Sequence, residues 1–441
     1  MRHRLDRSQC APPFERLAMP PVIDPASLRA ELTACREQLD PYPQDRFTGS
    51  GIVICAGGAS VFTNAYVLIH VLRTLLRCAL PIEVWHLGDG EMSARMRWLL
   101  RNLSAEPVDA QAVMADQGVP VSDGWQLKSF ALAHSSFARV LLLDADIVPE
   151  RDPAELFEWP EFEATGAVLW PDICSLTDEN QIWSACGLAS RTTRAVESGQ
   201  VLIDKSRHWD ALQIIVFLNA QREHTYRMVY GDKDLFLIGF LLTGQPYHVV
   251  PHLPLTDQPW CLFQRDFAGD RLFQHRCGAK WRYRGPQVDV PGFRHGEACE
   301  EALATLRRLW SGRIFHAPAR SPEALAEEAR LSAVRTVELV TPGEATLTLD
   351  LLEGGDIIDG SLSDFAHWYC VGGEPLALVL LDRFQRAMRF EFQGEGCWAE
   401  GSAAASVLIE GHRANSGHRA AASDTSWDWA KSHYRFDDDD R

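Results

Sequence analysis

Two carboxylates separated by one residue follow an uninterrupted apolar run in the middle of the chain. The apolar residues 141–143 lead directly into Asp144, Ala145 and Asp146. A short apolar run without a polar break predicts a strand that is buried on both faces of a parallel sheet. Carboxylate oxygens are the ligands that Mg²⁺ and Mn²⁺ prefer, and ligands of open α/β sheets bind beyond the carboxyl ends of the strands. Asp144 and Asp146 are therefore candidate metal ligands; the alternative, on this motif alone, is a surface turn that carries two aspartates.

Two further segments begin with polar residues and run into apolar ones. The first contains Glu197, Ser198, Gly199 and Gln200, and its glycine permits a close approach of the backbone to a ligand. The second, residues 231–234, contains Asp232, Lys233 and Asp234 and precedes an apolar helix predicted over residues 235–242. Asp232 is a natural N-cap for that helix. Capping alone does not explain three charged residues in a row, so we regard this segment as a candidate part of the site.

A histidine, a glycine and a lysine lie close together near residue 278. A lone histidine is more often structural than a ligand, but His275 is followed by Gly278 and Lys280. A diphosphate needs this combination, because glycine exposes a backbone N–H and lysine supplies a point charge. Lys128 lies one turn into a helix predicted from residue 124 to about residue 136. It is either a solvated helix residue or a group near the nucleotide, with about equal weight.

The elements that precede the two aspartates form the start of an α/β unit. A strand over residues 51–58, a helix over residues 62–76 and a strand over residues 80–87 follow from the apolar runs and the helical spacing of the leucines. The turn at Gly57 allows a backbone to approach a ligand closely. It lacks the Gly-x-Gly-x-x-Gly fingerprint, which excludes a nicotinamide or flavin cofactor. Further elements are expected in four places: strands over 167–172, 197–205 and 247–250, and a helix over 208–220.

Length and composition exclude several classes of protein. The 441 residues predict two to three domains, and 46% of them are hydrophobic, enough for a large core. The formal net charge of −17 argues against a nucleic-acid partner. A negative protein can still bind an anionic nucleotide when a metal stands between them. The 11 cysteines form no Cys-x-x-Cys pair, so reduced thiols in a cytoplasmic protein are expected. The sequence contains no uninterrupted run of about 18 apolar residues, so no membrane span is expected.

The distribution of apolar runs and of Gly, Pro and Asp along the sequence predicts four regions. Residues 1–48 form an N-terminal extension, residues 49–318 a catalytic α/β domain, and residues 319–333 a charged helical linker. From residue 334 to residue 441, short apolar runs divided by Gly, Pro and Asp predict a small all-β barrel or sandwich that ends in an acidic tail.

The middle of the chain resembles a glycosyltransferase of the GT-A fold, a Rossmann-like nucleotide-diphospho-sugar transferase domain. It is most similar to the α-1,3-mannosyltransferase family related to Golgi enzymes that cap mannan and N-glycan chains. The similar segments occur in the family's order between residues 51 and 247 and read GIVICAGG, LPIEVWHLGDGE, WQLKSFALAHSSFARVLLLDADIVPERDPAELF, ESGQVLIDK and GDKDLF. The segment HRCGAKW also resembles the His-x-x-Gly-x-x-Lys-Pro-Trp signature of the glycogenin and lipopolysaccharide galactosyltransferase family. It has one residue fewer between Gly278 and Lys280 and lacks the proline before Trp281.

The resemblance implies a role for each matching residue. Asp144, Asp146 and His275 would bind Mn²⁺ or Mg²⁺, and Lys280 with Gly278 would hold the nucleotide diphosphate. The sugar pocket and reaction centre would be formed by residues from the two polar segments. Glu197, Asp232 and Asp234 would serve as catalytic groups, and Gly57, Lys128, Ser198, Gly199, Gln200 and Lys233 would contact the nucleotide sugar.

The resemblance implies a retaining transfer of a hexose, favouring mannose from GDP-mannose over a UDP-hexose, to a glycan or other hydroxyl acceptor. Two other functions remain open. An inactive transferase could bind glycans through Trp368, Tyr369 and Trp398, although ordinary core aromatics are more common. A phosphotransferase of the haloacid-dehalogenase type also uses an Asp-x-Asp strand, but Val148 stands where that family has threonine.

Overall fold

The structure is a computed structural model of the chain, and its described residues form two compact units. The larger unit holds those between residues 25 and 310 together with 434–436, and the smaller unit holds those between 312 and 409. The residues described are 25–88, 90–117, 121, 124–257, 261–310, 312, 321–334, 336–340, 347–351, 355, 357–359, 365–371, 376–382, 387–394, 397–400, 406–409 and 434–436.

The larger unit alternates strands and helices along the chain. Its strands are β1 Ser50–Cys55, β2 Ile82–His86, β3 Ala105–Asp109, β4 Arg139–Asp144, β5 Ile147–Pro149, β6 Ala167–Leu176, β7 Thr193–Asp204, β8 His248–Val249, β9 Leu255–Asp257, β10 Cys261–Arg265 and β11 Arg271–His275. Its helices are α1 Pro25–Glu37, α2 Gly58–His70, α3 Ala94–Asn102, α4 Ala110–Gln117, α5 Gly124–His134, α6 Pro160–Thr165, α7 Gln181–Ala185, α8 Lys205–Ala220, α9 Arg222–Thr225, α10 Lys233–Thr243 and α11 Gly296–Leu309.

A mixed eight-stranded sheet forms the centre of this unit. Its order is β20-β6-β7-β4-β1-β2-β3, where β20 is Tyr434–Phe436, and β8 pairs with β6. The strands β4, β1, β2 and β3 run parallel, and β7 runs antiparallel to both β4 and β6. The apolar residues of β1 and β4 are fully buried, as expected for strands covered on both faces. The predicted α/β class is confirmed.

A second, smaller sheet adjoins the end of β4. Its order is β5-β11-β10-β9, and all of its pairs are antiparallel. Only two residues, Ala145 and Asp146, separate β4 of the central sheet from β5 of the small sheet. The chain therefore passes from one sheet into the other within a single turn.

Helices cover the central sheet. Leu127 and Phe130 of α5 share one core with Val140 and Leu142 of β4, and α8 and α10 contribute to the same core. A separate core joins α2, α11 and Trp281. The N-terminal helix α1 buries Leu28 and Leu32 against α7 and α8, so residues 25–37 pack as part of the larger unit.

The smaller unit is an antiparallel sheet with one helix, α12 Pro322–Val334. Its strands are β12 Thr336–Val340, β13 Leu347–Leu351, β14 Ile357–Asp359, β15 Phe365–Val371, β16 Ala377–Asp382, β17 Ala387–Gly394, β18 Cys397–Glu400 and β19 Ser406–Ile409. The sheet order is β14-β13-β12-β19-β18-β17-β16-β15. The Trp368 backbone N–H donates to the Gly355 carbonyl at 2.8 Å, which links the two end regions of this sheet.

The helix predicted as a linker packs on the β-sheet. Ala324 and Leu331 of α12 are fully buried in one core with Trp368, and Glu328 accepts a hydrogen bond from the Cys370 backbone at 2.9 Å. Trp368 is 2% exposed, so the alternative that used it to stack on glycans is wrong for this residue. The side chain of Trp398 and the acidic tail 437–440 lie outside the described residues.

Two expectations concern the chain as a whole. Within the described part of the chain, no helix is long and apolar enough to cross a membrane. The nine cysteines whose side chains the structure describes form no disulfide with one another, and most are buried. The predicted domain boundaries at residues 48, 318 and 333 stay predictions, as does the cytoplasmic location.

Candidate active site

Asp144 and Asp146 lie at the turn between the two sheets. Asp144 is the last residue of β4 and pairs in register with Cys55 at the end of β1. Asp146 is 4% exposed, and its backbone carbonyl accepts a hydrogen bond from Arg276 at 3.0 Å. The order of the sheet reverses between β4 and β1, so the two carboxylates occupy the position at which α/β proteins bind ligands.

His275 reaches both aspartates from the small sheet. It is the last residue of β11 and pairs with Ile147, the residue after Asp146. Its Nε2 atom lies 3.3 Å from an Asp146 oxygen and 3.8 Å from an Asp144 oxygen. Burial opposes protonation, but the Asp146 carboxylate outweighs it and raises the pKa of His275 well above its ordinary value.

The other side of the His275 ring faces β7. Its Nδ1 atom lies 3.3 Å from a Glu197 oxygen, so this carboxylate can orient the imidazole. Gly199 permits the close approach, because a Cβ atom there would lie 2.9 Å from Nδ1. The structure thus places the predicted catalytic residue Glu197 against the histidine.

Two lysines neutralise the carboxylates from different directions. Lys280 forms an ion pair with Asp146, and its side chain is 49% exposed. Burial would raise the pKa of Asp146, but Lys280 and His275 hold it well below the ordinary value. Lys128 is buried, and its Nζ lies 2.8 Å and 2.9 Å from the two Asp144 oxygens. The interpretation of Lys128 as a solvated helix residue is wrong.

Lys128 also connects Asp144 to the segment before α10. Its Nζ donates to the Ser198 hydroxyl at 3.2 Å and lies 3.7 Å from Asp232. Burial disfavours its charge, but Asp144 and Asp232 outweigh burial and raise the pKa of Lys128. Burial of Asp232, which Lys128 offsets only in part, raises its pKa to about 6.

The three charged residues before α10 have different partners. Asp232 occupies the N-cap position without a side-chain cap bond, so the capping interpretation of its carboxylate is wrong. Lys233 forms an ion pair with Asp172 of β6. Asp234 accepts a hydrogen bond from the Val196 backbone at 3.0 Å. Asp232 thus faces the cluster around Asp144, and Lys233 and Asp234 also fasten α10 to the neighbouring strands.

The remaining predicted residues divide between the site and its supports. Gln200 is fully buried, and the nitrogen and oxygen of its side-chain amide have no hydrogen-bond partner within the described part of the chain. Gly57 packs against Glu91, because a Cβ atom at Gly57 would lie 2.1 Å from the carboxylate. Gly278 is exposed in the loop after β11, two residues before Lys280.

Two supporting residues carried no recognisable signal in the sequence. Arg276 is buried and donates to the carbonyls of Ala279 and Val288, both at 2.7 Å. Asn64 of α2 accepts from the Trp281 backbone N–H at 2.8 Å and donates to the Trp281 carbonyl at 3.1 Å. Together they hold the loop that carries Lys280. Such side chain-to-backbone bonds depend on the fold and not on a motif.

The cluster fits a divalent cation. Asp144, Asp146 and His275 each offer a ligand atom, and these atoms lie within 4.8 Å of one another. Two carboxylate oxygens and an imidazole nitrogen suit Mn²⁺ or Mg²⁺. Glu197 on the far ring nitrogen is the kind of outer partner that ligating histidines have. The structure therefore brings together the three ligands that the sequence predicts.

One protein family matches the central part of the α/β unit. Residues 49–187 and 179–256 match the family described as "Mannosyltransferase putative". Residues 49–256 resemble a Golgi mannosyltransferase-like glycosyltransferase. The predicted resemblance of this part of the chain to mannosyltransferases is confirmed.

Individual relatives match a similar share of the chain. The alpha-1,2-mannosyltransferase MNN2 of Saccharomyces cerevisiae is 24% identical over 255 residues, which cover 47% of this chain and 42% of the relative. The alpha-1,2-mannosyltransferase MNN21 of Candida albicans is 26% identical over 264 residues, covering 47% and 40%. The chain thus spans about two fifths of the length of these relatives. Among solved structures, the galactosyltransferase LgtC with donor and acceptor sugar analogues is 16% identical, with a TM-score of 0.38 and coverage of 59% of this chain and 100% of LgtC.

Proposed function

We propose that the chain is a metal-dependent hexosyltransferase that moves mannose from GDP-mannose to a hydroxyl group of a glycan. The convergence of Asp144, Asp146 and His275 where the sheet order reverses carries this proposal. The mannosyltransferase names of the relatives support mannose as the sugar. Retention of configuration follows from the family resemblance alone, and an α-1,3 linkage stays a prediction.

We assign the donor diphosphate to the side of Lys280. Asp144, Asp146 and His275 would hold Mn²⁺, which as a Lewis acid supplies stabilisation of the charge on the leaving diphosphate. Lys280 is half-exposed beside Asp146, so its ammonium group can turn to a diphosphate oxygen. Gly278 leaves the backbone of the same loop open to that ligand.

The sugar is assigned to the side of Asp232 and β7. The sugar becomes oxocarbenium-like as the diphosphate leaves, and a nearby carboxylate stabilises that charge. Asp232 is a buried carboxyl beside Lys128 and is the candidate for this role. Asp234 instead holds Val196 of β7, so its role is to position Glu197 and the residues that follow it.

The proposal is tested by substituting one metal ligand. Asp146→Asn keeps the size of the side chain and removes its charge, so turnover of GDP-mannose with Mn²⁺ and a mannose acceptor should fall on the order of 100-fold. The control is Asp210→Asn, an exposed aspartate of α8. GDP release and transfer product are both measured. Full activity of Asp146→Asn in the presence of a chelator would show that the metal role is wrong.

The choice of donor is tested separately by thermal denaturation. A ligand that binds only the folded state raises the melting temperature. With Mn²⁺ present, we expect GDP-mannose to raise it and UDP-glucose to leave it unchanged. A shift by UDP-glucose alone would overturn the GDP-mannose assignment, because the same metal site also suits UDP-hexoses.

A further inference from the structure

Two exposed aromatic side chains meet beside the candidate active site. Trp125 is 45% exposed and Tyr230 is 46% exposed, and their ring centroids lie 5.9 Å apart at an interplanar angle of 48°. Tyr226 also packs against Trp125, with centroids 6.0 Å apart at an interplanar angle of 64°. We call these three residues the aromatic patch. Single exposed apolar residues are ordinary, but a contiguous apolar patch beside a site indicates a binding surface.

The patch is joined to the site through both of its elements. Trp125 lies one helical turn before Lys128, whose Nζ contacts Asp144. Tyr230 lies two residues before Asp232. Between them, Gly231 has φ +66°, and a Cβ atom there would lie 3.0 Å from the Trp125 ring. The glycine therefore lets the indole rest directly on the backbone that leads to Asp232.

The patch is also rigidly supported. The Tyr226 hydroxyl donates to the Asn219 side chain at 2.7 Å, which fixes the ring against α8. The Trp125 ring contacts the rings of both Tyr226 and Tyr230, so two aromatic neighbours restrain it. A rigid aromatic surface loses little conformational entropy when a ligand binds, which favours its use in recognition.

The topology separates this patch from the side assigned to the diphosphate. The crossover from β1 to β2 contains α2, and the crossover from β3 back to β4 contains α5. Right-handed crossovers that run in opposite directions along a sheet lie on opposite faces. Lys280 belongs to the loop whose Trp281 packs with α2, whereas Trp125 begins α5. The patch therefore lies across the site from the diphosphate.

We propose that the aromatic patch is an acceptor subsite, in which Trp125 and Tyr230 stack on a pyranose ring of a preformed glycan. The inference rests on the proposed function. The C–H face of a pyranose packs on an aromatic ring while its hydroxyl groups stay in water, which suits half-exposed rings. The preferred acceptor is then a mannose oligosaccharide, because one of its rings can stack on the patch while another occupies the reaction centre.

The test compares two tryptophans of equal exposure. Trp98 of α3 is also 45% exposed, and Arg95 lies over its ring at 4.2 Å. For Trp125→Ala, we expect KM for mannotriose to rise at least tenfold, while KM for GDP-mannose and acceptor-free GDP release change less than twofold. Trp98→Ala should match the unsubstituted chain in all three, and Trp125→Phe should recover most of the acceptor affinity. Tyr230→Ala provides a second variant should Trp125→Ala fail to fold.

Three results overturn the inference. They are an unchanged KM for mannotriose in Trp125→Ala and Tyr230→Ala, a rise in KM for GDP-mannose, which would assign the patch to the nucleotide, or an equal effect on methyl α-mannoside and mannotriose. Mannotriose binding is also measured without donor by saturation-transfer NMR. Binding that Trp125→Ala abolishes supports the subsite even if the chain transfers no sugar, so failure of the proposed function is seen separately.

Discussion

The buried carboxyl group of Asp232 has an energetic cost that depends on pH. Its pKa is about 6 in the folded chain, above the ordinary value of 3.8. The folded state therefore holds this proton more tightly than the unfolded state, and the stability of the chain falls as pH rises from 4 to 6. Two pKa units correspond to about 3 kcal/mol, which is fully present above pH 6.

Replacing Asp232 should remove this cost. In the presence of a chelator, we expect the stability that Asp232→Asn gains over the unsubstituted chain to be about 2 kcal/mol larger at pH 7.5 than at pH 4.5, because the amide does not ionise. Urea unfolding at both pH values measures the difference. The exposed control Asp210→Asn should show none. A gain of Asp232→Asn that is the same at both pH values would contradict this account.

At the scale of single residues, the sequence predicted which residues form the candidate site better than it predicted their side-chain contacts. The apolar run into Asp144 and Asp146 follows from the sequence, because continuous burial and an Asp-x-Asp end leave few alternatives. The pairing of Lys233 with Asp172 could not be predicted, because it depends on how β6 lies against α10. Likewise, no pattern in the sequence shows that Glu197 faces His275.

At the scale of elements, α2 and the loop after β11 behave as one support. Asn64 makes both backbone hydrogen bonds to Trp281, two chain segments far apart in sequence. Loss of this side chain leaves a buried N–H and a buried carbonyl without partners, which costs about 2–4 kcal/mol. The same loop carries Lys280.

We therefore expect Asn64→Ala to lower both stability and donor affinity. Urea unfolding should show a loss of about 2–4 kcal/mol, and titration of GDP-mannose with Mn²⁺ should show weaker binding, because the Lys280 loop is no longer fixed. Asn102→Ala, an exposed position at the end of α3, should change stability by less than about 0.5 kcal/mol. If Asn64→Ala is destabilised but binds the donor with unchanged affinity, the Lys280 loop does not contribute to binding of the diphosphate.

The predicted boundaries of helices and strands agree with the structure to within a few residues where the apolar pattern is strong. The helix predicted over residues 235–242 is α10 Lys233–Thr243, and the strand predicted over residues 80–87 is β2 Ile82–His86. The strand predicted over residues 167–172 continues to Leu176 through a break in register near Pro171. Pairing with β7 on one side and with β20 on the other supports this extension. That support is tertiary, so local residues do not encode it.

At the scale of the molecule, the two units have separate cores. The core of the smaller unit consists of residues from α12 and its own strands, and the cores around the active site consist of residues of the larger unit. Units with their own cores can unfold separately. A ligand of the α/β unit should therefore stabilise that unit alone.

Differential scanning calorimetry should resolve two transitions. Mn²⁺ with GDP-mannose at about 100 times Kd should raise one transition on the order of 5 °C, because bound ligand stabilises its unit by about 2.7 kcal/mol. The other transition should not move. A single transition that shifts as a whole would show that the two units unfold together.

Strand β20 closes a sheet whose other members are all made much earlier during synthesis. Tyr434–Phe436 pairs with residues 174–176 of β6, and the whole smaller unit is translated between β8 and β20. During synthesis, residues 174–176 of β6 lack their β20 partner until more than a hundred further residues have been added. Unpaired backbone groups at a strand edge can form hydrogen bonds with other chains. Molecules that lack β20 should then expose this edge of β6 and associate with other chains more readily.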